Sequence, residues 1–196
     1  MSDSYTVFWK NDLCRWLRKA GDAGRPLRFL FGGPHQSAPS LSRFGVRPGD
    51  WVFPVRVEKG CLHVISRMQV REFMPFADCL TTVLGLSDAD IETNLFALED
   101  WLRAERPELG HLIPPYACID EVAVAATGES LVFDRPFPGE LLTSIRYRSS
   151  KAERGLKYVD GGKLTRSLGI EHGVYRLAPA SASLFERLVL GSGRAA

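Results

Sequence analysis

Hydrophobic and polar positions alternate most regularly between Val46 and Phe73. Trp51, Phe53, Val55 and Val57 share one parity, and Val52, Pro54 and Arg56 the other, which is the period of a strand. Arg47-Pro48-Gly49-Asp50 is a turn before this run, and Glu58-Lys59-Gly60 a second turn after it. Leu62, Val64, Ser66, Met68 and Val70 then alternate with Cys61, His63, Ile65 and Arg67, so the stretch predicts a β-hairpin. Pro54 has no N–H, which places it at an edge, at a bulge, or with the missing donor turned away from the partner strand.

Other elements follow from the same reading. Tyr5 to Trp9 is β-prone. Asn11 or Asp12 caps a helix with Leu13, Cys14, Trp16, Leu17 and Ala20 on one face, ended by Gly21 or Gly24. Leu27 to Phe31 reads as a strand that stops at Gly32-Gly33-Pro34. Residues 76–106 change to helical spacing: Phe76, Leu80, Val83 and Leu84, then a capping box at Ser87-Asp88-Ala89-Asp90, then Ile91, Leu95, Leu98 and Leu102 up to Pro107. Strand character returns at Ala117–Ala126, Leu131–Phe133, Leu141–Arg148 and Val174–Leu177. A closing helix, Ser181–Leu190, carries Leu184, Phe185, Leu188 and Val189 on one side. Regular strand–helix–strand alternation is missing, so a doubly wound sheet does not fit. The expectation is one α+β domain over residues 1–190, a small curved or partly closed mixed barrel with flanking helices, with an acidic helical insertion at about 74–116 and a frayed tail at 191–196.

Composition narrows the class. The 196 residues are 45% hydrophobic and 24% charged, an ordinary globular balance. No apolar run approaches the roughly 18 residues of a membrane-spanning helix. MSDSYTVFWK has no basic stretch followed by an apolar one, so a cytoplasmic protein is expected. Cys14, Cys61, Cys79 and Cys118 lie far apart without a Cys-x-x-Cys pair, which points to free thiols and not to a metal site. Cys61 and His63 are the one close thiol–imidazole pair, on the same face of a strand.

The formal net charge of +2 conceals a strong segregation. Residues 1–71 hold 12 basic and 5 acidic side chains, 72–108 hold 2 and 9, 109–140 hold 1 and 5, and 141–196 hold 10 and 4. Either the two signs pair across the fold, or the basic ends face a polyanion. The densest basic run is Arg146, Arg148, Lys151, Arg154, Lys157, Lys163 and Arg166. Strand periodicity puts Arg146 and Arg148 on one face with Ile145 and Tyr147 on the other. Such cations neutralise phosphates without reading sequence. The loops at Ser149-Ser150 and Asp160-Gly161-Gly162-Lys163 are placed to offer backbone N–H groups to an anion. Trp9 and Trp51 are the aromatic candidates for stacking an unpaired base. Phe53, Trp16 and Trp101 read as packing residues.

Enzyme signatures are sparse. Gly-x-Ser-x-Gly, Gly-x-Gly-x-x-Gly and a P-loop are all missing from the sequence, so no cofactor is expected. An alternative reading is a small enzyme acting on an anionic or nucleotide-like substrate, with His63, His172 and Glu171 as acid/base groups. A third is a protein-interaction domain that docks through the acidic helices of 72–108.

Three features together resemble the PUA-like superfamily, in particular EVE- and ASCH-type domains. They are the first strand ending in Trp9 and leading to a helix, the entry Arg47-Pro48-Gly49-Asp50-Trp51-Val52-Phe53 into a paired strand, and Gly173-Val174-Tyr175-Arg176-Leu177 followed by Ser181 and an apolar helix. The resemblance implies a partly closed β-barrel that binds RNA, or DNA carrying a modified base, in a cleft beside the barrel. No individual binding residue carries over. The leading expectation is a non-enzymatic nucleic-acid-binding module in which Arg146, Arg148, Lys151, Arg154, Lys157 and Lys163 hold the backbone, and Trp9 and Trp51 stack a base.

Overall fold

The structure, a computed structural model, describes residues 2–34, 39–94, 119–149, 151–171 and 173–191. Trp101, Cys118, His35, His111, His172, Ser150 and residues 95–116 of the expected 74–116 insertion lie outside the described residues, as does the tail from 192 onward.

The longest alternating run forms the centre of a seven-stranded mixed sheet. β1 (Ser4–Phe8) runs parallel to β3 (Trp51–Glu58). β4 (Cys61–Val64) returns antiparallel on β3 through the Lys59-Gly60 turn, where both residues have positive φ, 51° and 80°. Two left-handed residues make the turn whose twist suits a hairpin. The second strand does not continue unbroken as the alternation predicted. It is interrupted at Ile65-Ser66-Arg67, and β5 (Met68–Pro75) resumes further along the same edge of β3. Pro54 sits where β3 changes partner from β4 to β5, so its missing donor falls at the break. The break's carbonyls are not wasted: Arg135 Nη1 donates to the oxygens of Val64 and Ile65, both at 3.2 Å, and Ser66 Oγ donates to Glu129 O at 2.6 Å.

β5 pairs antiparallel with β6 (Glu121–Gly128), with register shifts around Val70, and β6 with β2 (Phe29–Gly32). β11 (Val174–Arg176) lies antiparallel to β1 on the other side. The strand order is β11-β1-β3-β5-β6-β2. Irregular pairing in β5 and the broken strand interrupt the ladder on this side of β3. The fold is α+β with a mixed sheet, and among the described residues its edges, β2 and β11, do not pair with each other.

Both faces of the sheet are covered. α1 (Asn11–Lys19) packs Leu13, Cys14 and Leu17 with Tyr5, Val7, Val52, Met68 and Ala123 on one face. Asn11 is the first helical residue and not the cap: its amide donates to Val57 O at 2.9 Å. The opposite parity of β3, Phe53 and Val55, meets α4 (Pro179–Gly191) through Phe185, whose ring centroid lies 5.7 Å from that of Phe53. α4 starts at Pro179, a residue suited to a first helical position. A short helical turn, α2 (Phe76–Asp78), and a wider turn, Cys79–Val83, cover Phe29, Val122 and Val124. The capping box is present: Asp90 N–H donates to Ser87 Oγ at 3.1 Å and Ser87 N–H to Asp90 Oδ2 at 3.2 Å, opening α3 (Asp88–Asn94). No helix among the described residues is long and apolar enough to cross a membrane.

One expected strand is not a strand, and another, Leu141–Arg148, is a strand only at its end. Leu131–Phe133 is irregular, its N–H groups at Leu131 and Val132 taken by Arg25 O and Ile65 O. Residues Gly139–Ser144 form a 3₁₀ turn after Pro138, so β7 shrinks to Arg146–Arg148. In each case apolar side chains are buried, Leu131 and Phe133 in one core and Leu142 and Ile145 in the other, without ladder pairing. Burial alone produced the strand-like pattern.

Candidate nucleic-acid interface

The basic run lies in two small hairpins laid over the α4 side of the sheet. β7 pairs with β8 (Glu153–Gly155), and β9 (Val159–Asp160) pairs with β10 (Lys163–Leu164). Alternation in β7 is as expected. Ile145 and Tyr147 are buried, and Arg146 and Arg148 are exposed. Burial beside Tyr175, ring centroids 5.3 Å apart, raises the Tyr147 phenol above its ordinary range. β7 is fastened to α4 by the Arg146 N–H, which donates to Ser181 Oγ at 2.8 Å.

The individual cations differ in freedom. Arg146 folds its Nη1 back onto the carbonyls of Thr143 and Ile145, at 2.6 and 3.0 Å. Arg148 faces Glu153 in the β7–β8 register. Arg154 is opposite Tyr147 in that register, so it leaves the hairpin from the other face than Arg146 and Arg148. Lys151 sits in the turn after Ser149. The turn's N–H groups are not free for an anion as expected: those of Lys151 and Ala152 already donate to Ser149 Oγ, at 3.3 and 3.1 Å. The second loop, residues 160–163, packs closely on the residue after Pro138. A Cβ on Gly139 would lie 2.4 Å from Gly162 O, so the two glycine backbones meet directly.

Lys157, Lys163 and Arg166 belong to the β9–β10 hairpin, with an aromatic residue the sequence pattern did not single out. Tyr158 is 43% exposed and holds φ at 61°. The Arg166 guanidinium lies 5.8 Å from its ring centroid. Leu164 anchors the hairpin: its side chain is buried, and its N–H donates to Gly60 O at 2.8 Å. This contact carries Lys163 onto the β3–β4 turn, its Cβ 3.4 Å from where a Gly60 Cβ would stand. Lys59, exposed in that turn, therefore joins the basic surface from 104 residues away in the chain.

Trp9 and Trp51 do not join each other. Trp9 packs against the α1-side core and Trp51 against the α4-side core, on opposite faces of the sheet. One face of the Trp51 indole is covered by Arg67, whose guanidinium carbon lies 4.2 Å from the ring. Arg67 in turn reaches Glu186 of α4 at 2.5 Å and Glu129 at 3.6 Å. Trp51 is thus a packing residue on that face.

The charge segregation splits into two kinds. Among the described residues, ion pairs engage Arg15, Arg18, Arg25, Arg43, Arg56, Arg67 and Arg71 of the basic residues in 1–71. Their acids include Asp120, Glu129 and Asp134 from the acidic 109–140 stretch. In contrast, Arg148, Lys151, Arg154, Lys157 and Lys163 are exposed and make no ion pair among the described residues.

Of the acid/base candidates, His63 and Glu171 are described. His63 points away from Leu62 and Val64, which face the α4-side core. Burial foremost, then the Arg56 charge, lowers its pKa, and the other charges around it are Glu58, Asp134 and Arg18. Glu171 is not among them, and His172 is outside the described residues. An open cleft of about 360 Å³ lies between the Ser40–Arg43 loop and the adjoining ends of β5 and β6. Its polar groups satisfy one another: Ser42 donates through N–H and Oγ to Glu121, and Arg43 reaches Asp120 at 3.3 Å. Two carboxylates make this cleft a poor host for a polyanion.

No protein-family model matches the chain, and neither a curated protein nor a solved structure matches it.

Proposed function

We propose that the chain is a nucleic-acid-binding module that holds a phosphate backbone on the surface formed by β7–β8 and β9–β10. One observation carries the reading: Arg148, Lys151, Arg154, Lys157 and Lys163 are exposed and make no ion pair among the described residues, although Arg148 and Lys163 stand opposite Glu153 and Asp160 in their ladders, while most arginines of the first 71 residues are ion-paired. Exposed cations in extended or hairpin segments bind phosphates through counterion release, and the affinity falls with salt. Arg146 supports the surface by fastening its own backbone to α4, and its guanidinium is engaged with local carbonyls.

A PUA-like relationship belongs to the same proposal. Its support is the Arg47–Asp50 turn entering β3, the β3–β4 hairpin, and the ending of β11 followed by α4. A cytoplasmic setting is part of it too, supported by the free thiols of Cys14, Cys61 and Cys79.

The test is a titration of unstructured RNA and DNA oligonucleotides at several salt concentrations. Binding should weaken with salt, with a log–log slope near −0.7 per phosphate neutralised on a single strand. Changing Arg148, Lys151 and Arg154 to Gln should flatten that slope. Affinity that ignores salt, or no affinity for either nucleic acid, overturns the proposal.

A further inference from the structure

We infer that Tyr158 is a stacking platform for an unpaired base, with Lys157, Lys163 and Lys59 placed to hold the flanking phosphates and Arg166 beside the ring. This inference rests on the nucleic-acid reading and specifies its ligand as single-stranded, base-bearing nucleic acid.

Four observations converge on Tyr158. First, its backbone is in the left-handed region, φ 61°, where a bulky side chain is a genuine outlier. Strain of this kind persists only where the surroundings impose it, and it gathers at functional positions. Second, the surroundings do impose it. Thr165 donates to Tyr158 O through both its N–H, at 2.8 Å, and its Oγ1, at 3.2 Å, while the next residue along, Leu164, is pinned to Gly60 O. Third, the strain is not rewarded by packing: the ring is 43% exposed, outside the α4-side core that takes in its neighbours Leu156 and Val159. Fourth, cations flank the ring, with Asp160 the acid opposite Lys163 in the same hairpin. Lys157 precedes it, the Arg166 guanidinium is 5.8 Å from its centroid, and Lys163 comes with Lys59 through the Gly60 contact.

An exposed aromatic ring flanked by exposed cations is an arrangement that binds single strands. Each base offers a face to the ring, and successive phosphates meet the lysines. A duplex hides its base faces, so the ring has no equivalent contact there. The hairpin is held rigid by Leu164 and by the Gly139–Gly162 backbone contact, so the platform is preformed.

The experiment compares two single-stranded probes of equal length, a 12-mer of uridine nucleotides and the same backbone without bases. The variants are Tyr158→Gly, Tyr158→Trp and the wild type. Glycine accepts φ 61° without strain, so Tyr158→Gly should fold and melt at a higher temperature than wild type. It should bind the base-bearing probe roughly tenfold more weakly, with an unchanged salt slope, and bind the abasic probe as wild type does. Tyr158→Trp should retain the affinity. If the wild type binds the uridine probe and Tyr158→Gly binds it equally well, the stacking inference falls while the nucleic-acid reading stands. If the wild type binds neither probe, both fall together. A Tyr158→Gly variant that loses affinity for both probes alike also overturns the inference, since the ring would then be acting on the backbone and not on a base.

Discussion

Arg67 lies with its guanidinium carbon 4.2 Å from the Trp51 ring and its Nη1 2.5 Å from Glu186 Oε1. One side chain thus joins the interrupted strand, the first residue of β3 and the closing helix. Arg67 is buried, whereas Glu186 is about half exposed, so the arginine is the group that depends on its partners. Arg67→Ala removes the stack and both ion pairs together. It should lower the unfolding free energy by about 2–3 kcal/mol in a urea titration. Arg67→Lys should recover only part of this, because an ammonium group lacks the planar stack. A loss below about 0.5 kcal/mol would mean the pair is an exposed contact of little worth.

His63 makes the stability depend on pH. Burial lowers its folded pKa below the ordinary 6.5, with the Arg56 charge as the next cause. The unfolded chain therefore takes up a proton that the folded chain resists. Stability from this group is full above pH 6.5 and declines as the pH falls below that value, until the folded histidine also protonates. Melting temperatures of wild type and His63→Gln, measured from pH 8 to pH 5, should diverge below pH 6.5, with the wild type falling faster. Parallel curves would remove His63 as the source. The carboxyl of Asp134 is lowered by its hydrogen bond from Arg18, so its contribution is lost at more acid pH, below the His63 window.

The thiols should report the two faces of the fold. Cys14 is buried under α1 with its pKa pushed up to about 12, and Cys79 is buried with its pKa pushed up to about 11. Cys61 is exposed beside the β3–β4 turn. In a chain carrying Cys118→Ser, a thiol reagent at pH 7.5 should label one site rapidly, and adding Cys61→Ser should abolish that phase. Rapid labelling of Cys14 or Cys79 would mean that the corresponding face opens readily.

The legible parts of the sequence were those where local pattern and tertiary burial agree. The parity of Trp51 to Val57, the Lys59-Gly60 turn, the α1 face and the Ile145–Arg148 alternation all have neighbours within a few residues that fix them. At 131–133 and 139–145 the same apolar content is buried in turns whose hydrogen-bond partners, Arg25, Ile65 and Pro138, carry no periodic signal. In the candidate site, the basic run was visible and its inequality was not. Whether an arginine is paired depends on contacts as distant as Arg67 to Glu186 and Arg18 to Asp134, 119 and 116 residues apart. Tyr158 gave no periodic signal, since its importance lies in a backbone angle and in a contact between Leu164 and Gly60. Trp51 drew attention as an aromatic at a strand start, and Arg67 covers one face of it.

That inequality among cations gives the sharpest prediction. Arg15, Arg25 and Arg71 are exposed, and each has an acid within reach, Asp12, Asp22 and Glu72. Changing these three to Gln removes the same formal charge as changing Arg148, Lys151 and Arg154. A diffuse attraction that follows total charge would treat the two triple variants alike. Counterion release from contacted phosphates would not, because only cations that touch the strand displace ions. The 148/151/154 variant should reduce the salt slope for a single strand by about 2, and the 15/25/71 variant should leave it within error. Equal loss in both would mean that the protein attracts polyanions diffusely and has no binding surface at the two hairpins.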